Sequence, residues 1–362
     1  MSSTTSDGAP LALRFFREGD ETTMLRVLQG AFPAWPAVEI GVDPIDHLRW
    51  KLRSHEQALQ THFVIEDGGE IIGSESFLAQ HAKIGDQIAL TCHVGDVCVR
   101  PDHQGRGALL QMYMFIMPQL RESYDAHLVF RPRNRSSAVV RQGDTRPIPF
   151  ANQVHALVRP LRPWPASGGL SKAPRQLVAW ARAALGDLPA PKQMVEPWEL
   201  RQVPRFDERI DALWDEASRP FHFIVARDRE RLNWRYADPR AGLFMLRLAE
   251  QDGRILGYSV LRVSHGTGHI ADLLVLPGRV DVLCSLLRDA LAIFRSQGLA
   301  KVEVWCATHH PYRETLRRCG FLLKWRTVPL TLNIYHPERF DPAFLSDRRA
   351  AIHLMAGDTD LV

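Results

Sequence analysis

A proline-rich segment near the middle of the chain separates two stretches that favour regular secondary structure. Eight of the 24 prolines fall between positions 160 and 204, together with the run Ala-Ser-Gly-Gly at 166–169. Because proline has a fixed φ and no amide hydrogen, so dense a cluster favours a connector over a helix or strand. A chain of 362 residues is long enough for two domains. We therefore predict a disordered lead at 1–11, a domain at 12–162, a linker at 163–197, a second domain at 198–335 and a tail at 336–362.

The same order of elements is predicted on both sides of this connector. In the first half, a strand and a helix precede hairpin strands around Gly68-Gly69, and a strand, a glycine turn, a helix and the strand AHLVF follow. In the second half, a helix precedes a hairpin that turns at Asp252-Gly253, and a strand, a helix, the strand KVEVWCA, a helix and the strand LLKWRTVPLTL follow. This order indicates a layered α/β (α+β) fold present in two copies, each a mixed, largely antiparallel sheet flanked by helices.

Composition excludes several classes of protein. Hydrophobic residues make up 45% and charged residues 24% of the chain, as in soluble globular proteins. No apolar run approaches the ~18 residues of a membrane helix, and the first ten residues lack the regions of a signal peptide. The five cysteines form no Cys-x-x-Cys pair, which is typical of free thiols in a reducing compartment. We expect a cytoplasmic protein with no membrane partner, and leave open whether it forms a homo-oligomer.

Arginines are concentrated between positions 100 and 162. Ten arginines and four acidic residues lie there, so this segment carries a charge of +6 against +4 for the whole chain. Such a field suits the phosphates of a small cofactor or of a nucleic acid, and a solvated basic surface is the alternative. Aromatic residues do not alternate with these arginines as they do in proteins that bind single strands, which makes nucleic acid the weaker interpretation.

The stretch VRPDHQGRGALLQMY at 99–113 joins a β-branched strand to an apolar helix through Gly-Arg-Gly. Gly105 and Gly107 permit positive φ and a close approach of the backbone to a ligand. The first amides of a helix point outward without partners and bind anions, phosphate above all. Arg106 adds a full positive charge. Neither a Walker A pattern nor a Rossmann Gly-x-Gly-x-x-Gly is present.

This stretch resembles the acyl-CoA signature of GCN5-related N-acetyltransferases (GNAT), Gln/Arg-x-x-Gly-x-Gly/Ala. The motif falls on Gln104, Gly105, Arg106, Gly107, Ala108 and Leu109, where Leu109 departs from the usual Gly or Ala. The resemblance implies that the amides of this turn hold the pyrophosphate of acetyl-CoA or another acyl-CoA. It also implies that the end of the preceding strand, Val97, Cys98 and Val99, pairs with the pantetheine arm.

Two further segments are similar to the same family. FRPRNRSSAVVRQGD at 130–144 places Asn134 and Ser136 where the family contacts pantetheine and acceptor, but the tyrosine often used there as general acid is missing. YRETLRRCGF at 312–321 looks like the family's final helix and strand. The second half lacks the Gln-x-x-Gly-x-Gly turn, so the resemblance implies a degenerate second domain without a CoA site.

Acyl transfer from a thioester to an amine requires a deprotonated amine and a stabilised oxyanion. Asp96, at the end of the strand before the turn, is our candidate general base, and Glu75 on a neighbouring strand is the second. A structural Asp96 and a solvent-facing Glu75 are the alternatives. Strand alternation predicts that Asp96 and Cys98 share a face while His93 faces the other way. A backbone N–H near Val99 is the simplest oxyanion donor.

Other reactive side chains are assigned structural roles. Cys98 lacks a base on its face and is interpreted as a small buried hydrophobe. His309-His310 lacks metal-ligand spacing, and we expect no metal site. LNWRYADP at 232–239 is interpreted as aromatic packing with a cation–π contact. The tail HLMAGDTDLV at 353–362 is interpreted as frayed and acidic, although some tandem members of the family use a C-terminal carboxylate in the active site.

The sequence therefore predicts an acyl-CoA-dependent N-acyltransferase, in its simplest form an N-acetyltransferase. The acceptor would be a primary amine of a small molecule or amino sugar. A non-catalytic CoA-binding or sensor protein is the alternative, and a nucleic-acid-binding protein is the weaker one.

Overall fold

The computed structural model describes residues 11–52, 62–130, 148–162 and 197–359, so all but the last residue of the predicted lead and of the predicted linker lie outside it. Within the described part, the first half forms the elements β1 (Ala12–Phe15), α1 (Glu21–Ala31), α2 (Pro44–Leu52), β2 (His62–Asp67), β3 (Glu70–Ile84), β4 (Gln87–Val99), α3 (Ala108–Ser123), β5 (Ala126–Phe130), β6 (Ile148–Pro149) and β7 (Val154–Pro160).

The second half repeats the pattern of strands around a long helix. Its elements are β8 (Glu199–Val203), α4 (Arg209–Ala217), β9 (Phe223–Val225), α5 (Arg229–Leu232), β10 (Met245–Gln251), β11 (Arg254–Ser264), β12 (Thr267–Val275), α6 (Val280–Ser296), β13 (Lys301–Ala307), α7 (Arg313–Arg318), β14 (Leu322–Thr327), β15 (Leu330–Ile334), α8 (Ala343–Ser346) and β16 (Ile352–His353). A wide helical turn, Asn233–Ala237, continues α5.

The described strands form two mixed sheets. Sheet I runs in the order β1-β2-β3-β4-β5-β15-β6, with β9 pairing with β3 and β16 with β9. Sheet II runs in the order β14-β7-β13-β12-β11-β10-β8. The β4–β5, β12–β13 and β9–β16 pairs are parallel, and the other pairs are antiparallel. The prediction of a layered α/β fold with two mixed, largely antiparallel sheets is confirmed.

Both sheets contain strands from both halves: the first half contributes β7 to sheet II, and the second half contributes β15, β9 and β16 to sheet I. β7 lies in sheet II between β13 and β14, with Ala156 opposite Trp305. β15 lies in sheet I between β5 and β6, with Leu332 opposite Leu128. The sheets therefore cross the sequence-based boundary between 12–162 and 198–335, and no single cut of the linker separates them.

The segment LLKWRTVPLTL, predicted as one strand, is two strands in different sheets. β14 ends at Thr327 and β15 begins at Leu330, on either side of Pro329. Proline lacks the amide hydrogen that a continuous ladder needs, so the chain leaves one sheet there and enters the other. Strand propensity indicated the extended backbone correctly, but it carries no information about which sheet each part joins.

Helices cover both faces of sheet I. On one face, α1 and α2 bury Met24, Leu28 and Leu48 together with Cys98 of β4. On the other face, α3 packs against β2 and β3, and the ring of Phe115 meets that of Phe63. The helix α2 was missed in the sequence, although Pro44 at its first position is a recognised start signal. None of the described helices combines the length and the apolar character needed to cross a bilayer.

The described end of the chain is buried, contrary to the predicted frayed acidic tail. Met355 is 3% exposed and Asp358 is 5% exposed. Asp358 accepts hydrogen bonds from Arg227 Nη2 at 2.8 Å and from the amide of Met355 at 2.8 Å. The guanidinium of Arg227 compensates the charge of Asp358, so this acidic residue can be buried. The polarity of the tail gave no indication of this partner.

The strand exchange predicts that a residue from the second half stabilises the first sheet. Leu332 on β15 is fully buried, so Leu332→Ala should lower the free energy of unfolding by about 2–5 kcal/mol. Leu323→Ala is the matched control, because Leu323 on β14 is 54% exposed, and it should cost less than ~0.5 kcal/mol. Urea unfolding followed by circular dichroism measures both; equal costs would contradict the placement of β15.

Candidate active site

A gap opens between β4 and β5 of sheet I. The two strands pair in parallel only as far as His93, which lies opposite Leu128. β4 continues to Val99 and β5 to Phe130 without further pairing between them. Within the residues that the structure describes, the edge of β4 beyond His93 thus has unused hydrogen-bonding groups facing this gap.

The last residue of β4 directs its backbone into the gap. The amide of Arg100 donates to the carbonyl of Ile72 on β3 at 2.7 Å. Because successive residues of a strand point their amides to opposite sides, the N–H and C=O of Val99 face away from β3. The Val99 carbonyl accepts a hydrogen bond from Gln104 Nε2 at 3.0 Å. Gln104 of the predicted motif therefore ties the glycine turn to the strand.

The Gly-Arg-Gly turn has the backbone expected of an anion-binding loop. Gly105 has φ +83° and Gly107 has φ +78°, and no atom lies within 4 Å of where a Cβ would be at either position. The amides of Leu110 and Gln111 both donate to the carbonyl of Gly107. The amides before them belong to the unpaired first turn of the 16-residue helix α3.

Side chains around this turn separate into buried and exposed sets. Ala108 is buried, and Leu109 packs against the core between sheet I and α3. The unusual leucine at this motif position thus contributes to packing and leaves the backbone of the turn open. The Arg106 side chain is 62% exposed, and its Nη1 lies 3.7 Å from Asp67 Oδ2, so its guanidinium is at the surface and forms a long ion pair.

A β-bulge interrupts β4 at Asp96. Ser74 lies opposite Cys98 while Ser76 lies opposite Gly95, so two residues of β4 face one residue of β3. Asp96 has φ +51°, a left-handed conformation that is uncommon outside glycine. An extra residue in one strand shifts its side-chain alternation by one position.

The bulge corrects the predicted orientation of His93. Simple alternation placed His93 on the opposite face from Asp96 and Cys98. In the structure, Asp96 contacts Lys51, and Lys51 and His93 line the same cavity on the face covered by α1 and α2. Cys98 packs into the core on that face. His93, Asp96 and Cys98 therefore share one face.

Asp96 is buried with two partners from the α1–α2 segment. Trp35 Nε1 donates to Oδ1 at 2.9 Å, and Lys51 Nζ lies 2.5 Å from Oδ2. The Lys51 and Asp96 side chains are only 5% and 7% exposed. Both carboxylate oxygens are thus engaged, and the ion pair compensates two charges that would be costly to bury alone.

Glu75 lies on the opposite face from Asp96. It pairs across the strands with Phe63, whose ring packs against α3. Burial raises the pKa of Glu75 to about 8. The two predicted catalytic carboxyl groups are therefore not brought together but lie one on each face of the sheet, beside the same stretch of β4.

A small cavity of about 20 Å³ lies on the Asp96 face, between the two halves of the chain. Its walls include Lys51, Gln80 and His93 from the first half, and Arg231, Trp234 and Asp358 from the second half. Sequence reasoning did not single out the first-half residues Lys51 and Gln80 or assign Arg231 to a site.

Two tryptophans stack at the wall of this cavity. The Trp50 and Trp234 rings lie 4.6 Å apart at 21°, and Trp50 Nε1 donates to the carbonyl of Trp234 at 3.1 Å. The Arg231 guanidinium lies 5.0 Å from the centre of the Trp234 ring. Within LNWRYADP itself, the Arg235 guanidinium lies 5.3 Å from the centre of the Tyr236 ring, which is a cation–π contact of the predicted kind. The stack of Trp234 on Trp50 connects the two halves.

Two short sequence repeats are the signal from which the pairing of Trp50 with Trp234 could have been predicted. HLRWKL at 47–52 corresponds to RLNWRY at 231–236, and HVGDVCV at 93–99 corresponds to HIADLLV at 269–275. In both sheets the strand ends with a valine opposite a glycine, Val99 with Gly73 and Val275 with Gly257. The stacked tryptophans are therefore equivalent residues, and Asp272 occupies the position of Asp96 in the second copy.

The corresponding face of the second copy is filled by the chain itself. Asp272 lies 3.3 Å from Arg227 Nη2 and accepts a hydrogen bond from Tyr258 Oη at 3.0 Å. Gly357 lies against β12, where an added Cβ would be 1.9 Å from Tyr236 Oη and 3.0 Å from the carbonyl of Ala271. The buried tail thus occupies the space beside Asp272.

Some predicted features lie outside the described residues. They are the predicted site residues Asn134 and Ser136 and five of the ten clustered arginines, namely Arg131, Arg133, Arg135, Arg141 and Arg146. Across the described ranges, no group of three or more His, Cys, Asp or Glu side chains is arranged to hold a metal ion.

Comparison with known proteins places this geometry in a family. Residues 12–133 match the model of an acetyltransferase (GNAT) domain. Among curated proteins, none matches this sequence. Similar solved structures include a GCN5-related N-acetyltransferase from Anabaena variabilis, which is 12% identical with a TM-score of 0.62 and is matched over 90% of this chain and 73% of its own.

Two other solved structures have a similar fold at similarly low sequence identity. A conserved protein of unknown function from Enterococcus faecalis, described as a probable N-acyltransferase, is 12% identical with a TM-score of 0.63, over 90% of this chain and 73% of its own. A GCN5-related N-acetyltransferase from Kribbella flavida is 13% identical with a TM-score of 0.60, over 91% and 72%. At such identities the likeness concerns the fold, and the matched domain supplies the family. The family match thus identifies an acetyltransferase (GNAT) domain in residues 12–133, about a third of the chain.

Proposed function

We propose that this protein transfers an acyl group from an acyl-CoA, in the simplest case acetyl-CoA, to a primary amine of a small molecule. The observation that carries the proposal is the open edge of β4 beyond His93, which lies directly beside the glycine turn at the start of α3. A strand edge binds an extended amide-containing arm, and a helix N-terminus binds phosphate.

The residues of this edge fit such a donor. The turn from Gly105 to Leu109 offers backbone amides with open space beyond both glycines, and Arg106 adds charge for a pyrophosphate. Residues 97–99 would bind the pantetheine arm through their backbone. When bound, the thioester supplies an activated acyl carbon. The N–H of Val99 is directed into the gap and would stabilise the oxyanion that develops on that carbon.

Asp96 is the proposed general base on the acceptor side. It lies on the face of the cavity between the halves, and its carboxylate already binds a primary ammonium, that of Lys51. An acceptor amine would exchange with Lys51 or reach Asp96 through water, lose a proton to the carboxylate and attack the acyl carbon.

Glu75 is the proposed general acid on the CoA side. Its pKa of about 8 keeps the carboxyl group protonated at neutral pH, on the face that packs against α3. A protonated acid there would supply the proton that the departing thiolate takes up. The two carboxyl groups would then serve opposite ends of one reaction, in place of the tyrosine that the sequence lacks.

A CoA-binding sensor without catalysis is the alternative, and the engagement of both Asp96 oxygens favours it. The two proposals share the binding site and differ in turnover. The filled face beside Asp272 supports a second copy that has no acceptor site of its own in either case.

Binding of CoA is tested by thermal shift and calorimetry with Gly107→Val. At φ +78° a β-branched residue is strained and obstructs the turn, so the affinity for CoA should fall at least ~10-fold. Gly85→Val is the matched control, since Gly85 has φ +61° in a hairpin remote from the turn and should leave CoA affinity unchanged. No stabilisation of the parent protein by millimolar CoA would refute the proposal.

Catalysis is tested by Asp96→Asn with acetyl-CoA and a panel of primary amines. Loss of a general base should lower kcat by ~10²–10⁴-fold while CoA affinity is retained. The isosteric amide preserves the contact with Trp35 and removes the charge. Turnover equal to that of the parent protein would assign Asp96 a structural role, and binding of CoA without turnover of any amine would favour the sensor.

The raised pKa of Glu75 predicts a pH-dependent stability. The folded protein holds this proton up to about pH 8, whereas the unfolded chain releases it near pH 4.5, so the side chain destabilises the fold increasingly as the pH rises through that interval. Glu75→Gln should therefore raise Tm at pH 9 and change it little at pH 4.5. Glu122→Gln, at an exposed position of α3, is the control. An equal effect at both pH values would contradict the burial of Glu75.

A further inference from the structure

The cavity between the halves contains a buried guanidinium, that of Arg231, which forms no ion pair with a carboxylate of the described residues. Arg231 is 6% exposed, and its Nη2 donates to Gln80 Oε1 at 2.6 Å. Its Nη1 has no hydrogen-bond partner among the described residues, and neither has Nε2 of Gln80, which is itself fully buried. Arg231 and Gln80 thus each have an unused N–H donor at the same cavity, within the described part of the chain.

The charges around the cavity compensate this guanidinium only in part, and Asp358 is the carboxylate that acts on it. Asp358 also lines the cavity, but its carboxylate is bound by Arg227 and by the amide of Met355. Arg235, another lining residue, is a second cation close to Arg231. A buried positive charge without an anion is costly, and an arginine at such a position is a binding site for one.

The shape of the donors identifies the anion. Arginine presents a rigid planar fork that matches a carboxylate, and the amide of Gln80 provides a second N–H beside it. A cavity of about 20 Å³ has room for a group no larger than a carboxylate. The Trp50–Trp234 stack forms an aromatic wall next to it, suited to an apolar side chain.

The cavity also reaches the proposed catalytic base. Lys51 lines it and lies 2.5 Å from Asp96 Oδ2, and His93 on β4 lines it as well. An acceptor anchored on Arg231 would therefore extend toward the Lys51–Asp96 pair, where the amine is needed.

We propose that this cavity binds the carboxylate of the acceptor, so that the acceptor is an amine of the α-amino-acid class, and that Arg231 and Gln80 hold its carboxylate. The inference rests on the proposed acyl transfer and specifies its substrate.

The first experiment compares amines that differ only in the carboxylate. Acetyl transfer would be measured for L-phenylalanine against 2-phenylethylamine and for L-leucine against isoamylamine. Loss of a charge-assisted, two-donor contact predicts kcat/KM at least ~10-fold higher for the amino acid of each pair. Equal values, or higher values for the decarboxylated amines, would overturn the inference while leaving the proposed function intact.

Variants of Arg231 assign the preference to this site. Arg231→Leu should abolish the difference within each pair, and Arg231→Lys, which keeps the charge but loses the fork, should retain part of it. Arg254→Leu is the matched control, because Arg254 pairs with Glu216 at the surface, and it should keep the full preference. A preference that survives in a folded Arg231→Leu protein would overturn the assignment.

A second measurement does not depend on turnover. N-acetyl-L-phenylalanine and its amide, N-acetyl-L-phenylalaninamide, would be titrated calorimetrically into the parent protein in the presence and absence of CoA. Tighter binding of the acid by at least ~10-fold, lost in Arg231→Leu, supports the carboxylate site. Equal binding of acid and amide, or binding of neither, overturns it. Failure of the proposed function appears separately, as the absence of CoA binding or of transfer to any amine.

Discussion

The exchange of β7 and β15 is the constraint on which the rest of the structure depends. Each strand lies in the interior of the other half's sheet, so its backbone hydrogen bonds and its apolar side chains belong to the opposite half. The main hydrophobic core accordingly includes Leu128 and Leu332 of sheet I together with Leu157 and Val304 of sheet II. Because neither sheet is complete without the other half, the halves are held at a fixed distance, and a cavity lined by both is built into the fold.

Within that frame, one bulge decides the chemistry of the site. The extra residue at Asp96 turns His93 and Asp96 to the face covered by α1 and α2, while Glu75 faces α3. A left-handed residue at a bulge has an energetic cost that the surrounding contacts must offset, here the bonds from Trp35 and Lys51. The equivalent aspartate of the second copy, Asp272, is held instead by Arg227 and Tyr258 beside the buried tail. The face of β4 that carries Asp96 therefore borders the cavity between the halves, whereas the equivalent face of β12 is covered by the buried tail.

Much of the fold was predictable because its signals are local. The hairpin at Asp252-Gly253, the start of α3 after Gly107 and the layered arrangement follow from glycine conformations and hydrophobic periodicity, which involve neighbouring residues only. The orientation of His93 was predicted wrongly because a bulge depends on the partner strand. Lys51 and Arg231 were missed as site residues because they are 180 positions apart. The repeat HLRWKL and RLNWRY was the available signal, and its meaning depends on the stacking of Trp50 on Trp234.

The sequence by itself determined the layered fold of strands and helices, the glycine turn before α3 and the match of residues 12–133 to an acetyltransferase (GNAT) domain. These features depend on the backbone conformation of single residues and on short-range patterns, and both can be recognised in the sequence alone. Only the tertiary structure decided which sheet receives β7 and β15, which face Asp96 occupies and that Arg231 meets Gln80 in a shared cavity. The physical reason is that strand pairing, bulge register and the burial of charge depend on contacts between segments that are distant in the chain. Several partners are compatible with each local sequence, and packing and hydrogen bonding in the folded protein determine which partner is used.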